Sequence, residues 1–97
     1  MRALFVGGTV DNSELDLAVD QPPTHYPENT GSGLARYQLQ SIGRRRDGGI
    51  AYAVYAAPDL ADEEVERIAR ERDYARRFDA EPVPASEWPA AEWTSPA

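Results

Sequence analysis

The sequence has no cysteine, no lysine, one histidine and no long apolar run. Each absence excludes chemistry. Without cysteine there is no disulfide scaffold, no thiolate zinc site and no thiol nucleophile. His25 alone cannot supply a two-histidine metal site. No apolar stretch approaches the roughly 20 residues of a membrane span. Residues 1–6 run into Gly7-Gly8 too soon for a signal peptide. A soluble, cytoplasmic protein with no membrane partner is expected. Without lysine, all ten cations are arginine, so every positive side chain is a planar fork suited to phosphate or carboxylate.

What is present is small and acidic. Ninety-seven residues make one domain, and a chain of this size buries roughly 60–65% of its unfolded surface. Seventeen acids against ten arginines leave a net charge of −7. The charge is unevenly placed. Residues 11–30 hold Asp11, Glu14, Asp16, Asp20 and Glu28 with no base. Residues 31–57 hold Arg36, Arg44, Arg45 and Arg46 against Asp47 alone. The acidic balance argues against long nucleic acid, whose affinity comes from neutralised phosphates. It permits one local anion site, or docking on a basic host protein.

Periodicity predicts an α+β fold. Residues 3–6 are apolar and stop at Gly7-Gly8-Thr9. Leu15, Leu17 and Val19 then alternate with Glu14 and Asp16, the period of a half-buried strand, so the two segments form a hairpin. Residues 20–33, with Pro22, Pro23, Pro27, Gly31 and Gly33, form a long loop. Residues 34–42 and 50–56 alternate on either side of Gly43-Arg44-Arg45-Arg46-Asp47-Gly48-Gly49, a second hairpin. The second of these strands carries no charge on either face, which places it centrally. A helix is expected over residues 59–78, capped by Asp59 or, with a Leu60–Val65 staple, by Ala61. Its apolar stripe is Val65, Ile68, Ala69, Ala75 and Phe78, and Glu63–Arg67, Glu66–Arg70 and Asp73–Arg77 are candidate i,i+4 pairs. The expected architecture is a small antiparallel sheet of about four strands, made of two hairpins, with one packed C-terminal helix. Residues 1–78 form the domain. Residues 79–97, with four prolines, four acids and no base, form an extended tail.

The inventory for catalysis is thin. His25, in Thr24-His25-Tyr26-Pro27, offers a general base or a ligand contact, or bonds locally within its loop. No serine sits in a strand-to-helix elbow. Asp11-Asn12-Ser13-Glu14-Leu15-Asp16 fails the spacing of a calcium loop. No catalytic residue, metal or cofactor is expected, and the protein reads as a non-enzyme. Gly7-Gly8-Thr9 offers either a phosphate nest or a tight turn with positive φ. Arg44, Arg45 and Arg46 form the sharpest feature: three forks on a hairpin tip, able to clamp phosphates or carboxylates, or simply a solvated turn. Tyr37, Tyr52 and Tyr55 offer faces for a base, or core packing. The helix acids are interrupted by arginine, so they read as a self-paired solvated face and not as a mimic of DNA. Trp88 and Trp93 are out of character in the tail. They anchor a partner or a second subunit, or fold back over the open face of the sheet. A homo-oligomer is expected.

Phe5-Val6-Gly7-Gly8-Thr9-Val10-Asp11 followed by Leu15-Asp16-Leu17, then Arg36-Tyr37-Gln38-Leu39, Ala53-Val54-Tyr55 and Leu60-Ala61-Asp62-Glu63-Glu64, resembles small accessory proteins encoded by phages and prophages. The resemblance spans about residues 3–66. It implies an inhibitor of host defence, acting by blocking a host protein or by sequestering a nucleotide signal. In the second case Arg44, Arg45 and Arg46 would hold phosphates while His25, Tyr26 or a tryptophan stacks on the base.

Overall fold

The computed structural model describes residues 1–18, 22, 25–26 and 37–85. It is an α+β fold in which two short helices cover one face of a six-stranded mixed sheet. The strands are β1 (Arg2–Val6), β2 (Glu14–Asp16), β3 (His25–Tyr26), β4 (Tyr37–Arg44), β5 (Ile50–Ala56) and β6 (Glu81–Pro84). The helices are α1 (Asp62–Glu71) and α2 (Tyr74–Arg77). Sheet order is β2-β1-β5-β4-β3, and β6 also pairs with β4. None of the described helices is long and apolar enough to cross a membrane.

Both expected hairpins form: β1 with β2, and β4 with β5. They meet through β1 and β5, which run parallel with Arg2 opposite Tyr52 and Val6 opposite Ala56. The sheet is therefore mixed where antiparallel pairing alone was expected. Parallel neighbours need a long connection, here the whole of β2 to β4, so no local pattern announces the pairing. β5 is central, and its uncharged sequence follows from burial on both faces. Toward the helices, Tyr52, Val54 and Ala56 pack with Leu4, Val6, Val65 and Tyr74, and with the partly buried Leu60, Ile68, Ala69 and Phe78. On the opposite face Ala53 and Tyr55 pack with Ala3, Phe5 and Ile42.

The expected single helix is two. Asp73 stands in the left-handed region at φ 58°, which short polar side chains tolerate, and turns the chain between α1 and α2. Tyr74, absent from the expected stripe, is brought into the core by this break and is 2% exposed. The cap of α1 is Ala61, not Asp59; Leu60 and Val65 join the same apolar cluster, and Asp62, Glu63 and Glu64 occupy the first turn. Charge pairing also differs from the expected set. Arg67 bonds Glu71 and Glu64, and Arg77 reaches across to Glu14 on β2 at 2.9 Å. The beginning of the expected tail is structured: Val83 pairs with Ile42 and Glu81 with Arg44. Leu15, placed on the buried face of β2 by its alternation, is 39% exposed.

Candidate functional site

The β4–β5 turn is built to hold its shape. The Arg45 amide donates to the Gly49 carbonyl at 2.7 Å, and the Gly48 amide donates to the Arg45 carbonyl at 2.9 Å. Residues 46–48 form the loop between them, and Gly48 takes φ +91°, which its lack of Cβ permits. Asp47 Oδ1 accepts the Gly49 amide at 2.8 Å, a side chain imitating a backbone turn. The Arg45 Nε lies 3.8 Å from the same carboxylate, a long and exposed pairing. The aspartate inside the basic turn thus serves the loop's own geometry.

Arg44, Arg45 and Arg46 line a cavity of about 590 Å³. Its other wall is the end of α2 and the start of β6: Ala75, Arg76, Asp79, Ala80 and Glu81. Four arginines and two acids therefore share one cleft. Arg76 was invisible as a site residue because it looked like one more solvated position on a charged helix. Its place in the cleft depends on the helix break at Asp73 and on the β4–β6 pairing.

A second cavity, of about 560 Å³, adjoins this cleft and shares Ala75 and Arg76 with it. It lies between the helices and the β4/β6 edge, and Tyr52, Val65, Ala69, Tyr74, Pro82 and Pro84 contribute to its lining. Gln40, Ser41, Glu66, Arg70 and Asp73 bring polar groups to the same groove. Tyr52 is 2% exposed, and burial pushes its hydroxyl up to about 12. Among the described residues that hydroxyl has no hydrogen-bond partner.

The distribution of arginine pairing singles out these two cavities. Arg2, Arg45, Arg67, Arg72 and Arg77 have carboxylate partners within 4.0 Å. Among the described residues, Arg44, Arg46, Arg70 and Arg76 have none. All four line the two cavities.

The remaining candidates sit elsewhere. Gly7 and Gly8 do take positive φ, 81° and 71°. The Gly7 amide that would face a phosphate instead donates to Asp11 Oδ1 at 2.7 Å. The Tyr37 hydroxyl donates to the Gly7 carbonyl at 2.6 Å and accepts the Val10 amide, so it ties this turn to β4. His25 and Tyr26 form β3, opposite Gln38 and Tyr37. The Tyr26 ring lies 5.5 Å from Phe5 and 6.1 Å from Tyr55, on the sheet face away from the helices. Neither residue is among those lining the arginine cleft. Tyr55 is core and Tyr37 is a structural tie, whereas Tyr52 borders the groove. Trp88 and Trp93 lie outside the described residues. No three of His, Asp and Glu converge as metal ligands would among the described residues. The chain matches no family model, no curated protein and no solved structure.

Proposed function

We propose that this protein is a non-enzymatic binding protein that captures a small phosphorylated ligand in the cleft of Arg44, Arg45, Arg46 and Arg76. The carrying observation is that the four arginines without a carboxylate partner among the described residues all border this cleft or the groove beside it. A guanidinium fork with no carboxylate keeps its donors for an incoming anion, and phosphate oxygens match its geometry in bidentate fashion. Asp79 and Glu81 limit the cleft's charge, which favours a compact anion over a long polyanion. Sequestering such a ligand fits the phage-type inhibitor expected from the sequence, and stands in place of blocking a host protein through the C-terminal tryptophans.

Titration calorimetry and melting curves with pyrophosphate and nucleoside diphosphates test the reading. Binding should weaken as salt rises. Arg46→Ala and Arg76→Ala should each weaken it by about tenfold, the value of one charge-assisted hydrogen bond of about 1.5 kcal/mol. If no phosphorylated compound binds or shifts the melting temperature, the proposal fails. A host protein retained equally by the wild type and by the two arginine variants would point back to the other inhibitory mode.

A further inference from the structure

We infer that the ligand of the arginine cleft is a nucleotide whose aromatic base sits in the adjoining groove between α1, α2 and the β4/β6 edge. This inference rests on the reading of the cleft as a phosphate site and adds the chemical class of the ligand.

The two cavities share Ala75 and Arg76, so one molecule can occupy both with Arg76 at the junction. The groove's volume, about 560 Å³, lies within the range of roughly 300–1,000 Å³ for small-molecule sites. Its lining suits a flat, heteroatom-bearing ring. Tyr52, Tyr74, Val65 and Pro82 supply apolar and aromatic surface, while Gln40 and Ser41 supply donors and acceptors for a ring edge. Tyr52 is 2% exposed as a residue and borders the groove, and no described residue bonds its hydroxyl. A ring nitrogen or carbonyl placed in the groove would give that hydroxyl a partner. A lipid tail would leave Tyr52, Gln40 and Ser41 facing hydrocarbon, which disfavours a phospholipid. Glu66 and Asp73 on the groove's rim similarly disfavour a second phosphate there. The polarity of the site therefore orders the ligand, with phosphates at the β4–β5 turn and base beside Tyr52.

The test compares ADP, GDP, CDP and UDP with pyrophosphate and ribose 5-phosphate by titration calorimetry. The proteins are the wild type, Tyr52→Phe and Glu66→Trp, each checked for folding by circular dichroism. Glu66 is exposed on α1, so a tryptophan there can obstruct the groove without entering the core. At least one nucleoside diphosphate should bind at least tenfold tighter than either base-free compound. Glu66→Trp should erase that advantage, and Tyr52→Phe should reduce it several-fold, while pyrophosphate binding stays unchanged in both. Equal affinity for nucleotides and pyrophosphate would overturn the base site and leave the arginine cleft standing. A nucleotide preference that survives Glu66→Trp would also overturn it. Loss of all binding, pyrophosphate included, would remove the cleft reading and this inference together.

Discussion

Arg72 holds Asp11 by both carboxylate oxygens, with Nη2 at 3.0 Å from each, across 61 positions of sequence. The same guanidinium donates through Nη1 to the Tyr74 hydroxyl at 3.2 Å and to the Phe5 carbonyl at 3.4 Å. Asp11 also accepts the Gly7 amide. One carboxylate therefore joins the turn after β1 to the end of α1. The Gly7 amide, then Arg72, hold its carboxyl below the ordinary value of 3.8, with partial burial working the other way. A carboxyl whose folded value is lowered stabilises the fold at pH above its unfolded value, and that contribution disappears as pH falls through the folded value. Asp11→Ala should cost about 1 kcal/mol at neutral pH, a modest figure because the side chain is 43% exposed. In a domain of this size the melting temperature should fall by roughly 4–8 °C. Melting curves should show the gap from the wild type steady above about pH 5 and closing below about pH 4. A gap that persists unchanged at low pH would show that the carboxylate charge has no part in the link.

Tyr52 predicts the opposite pH behaviour. Its hydroxyl is raised to about 12 because burial disfavours the phenolate. A raised folded value gives stability that is complete below the ordinary tyrosine value and is lost as pH climbs toward the folded one. The wild type should therefore lose stability between about pH 10 and 12. Tyr52→Phe should lose less over that window and differ little at neutral pH, because no described residue bonds the hydroxyl. Ultraviolet absorbance titration should show one tyrosine transition near pH 12 vanish in the variant. Identical alkaline unfolding of both proteins would contradict the assignment.

The legible parts of this fold were those written in local patterns. Alternation around Tyr37, Leu39, Tyr52 and Val54 revealed β4 and β5, and Gly43 to Gly49 revealed their turn, because both signals lie within a few residues. The apolar stripe of Val65, Ile68 and Ala69 revealed the packed helix. What escaped needed tertiary context. Asp73 in the left-handed region interrupts a pattern that continues across it, since Ala75 and Phe78 still fall near helical spacing. Pro82 and Pro84 made β6 look like tail, although an edge strand accommodates proline on its open side. The site shows the same division. Arg44, Arg45 and Arg46 stood out as a run in sequence, whereas Arg76 joins them only once the helix break and β6 are in place.

Gly43 is required by a neighbour's ring and not by its backbone. A Cβ built at this position collides with Cδ2 and Cε2 of Tyr52, its partner across the β4–β5 ladder. The glycine thus lets the tyrosine lie flat against β4 and reach the groove. Gly43→Ala must displace that ring and should destabilise the protein by roughly 1–3 kcal/mol, the usual cost of overpacking. Urea unfolding measures this directly. The double variant Gly43→Ala/Tyr52→Leu should recover much of the loss, because the collision is gone. Additive losses in the double variant would place the role of Gly43 elsewhere.

The prolines of β6 guard an edge of the sheet. The Ala85 amide donates inward to the Gln40 carbonyl. Strand alternation therefore directs the nitrogens of residues 81 and 83 inward as well, and those of residues 82 and 84 outward. Both outward positions are proline, so this edge offers a further strand no N–H donor there. Open strand edges invite pairing between molecules, and proline on the outward positions suppresses it. Among the described residues no strand pairs with the outer side of β6. Replacing both prolines, as Pro82→Thr/Pro84→Thr, keeps the inward ladder with β4 and restores two outward donors. The double variant should remain folded but self-associate more as concentration rises, read by analytical ultracentrifugation or light scattering. If it sediments as the wild type does at every concentration, the prolines have no protective role.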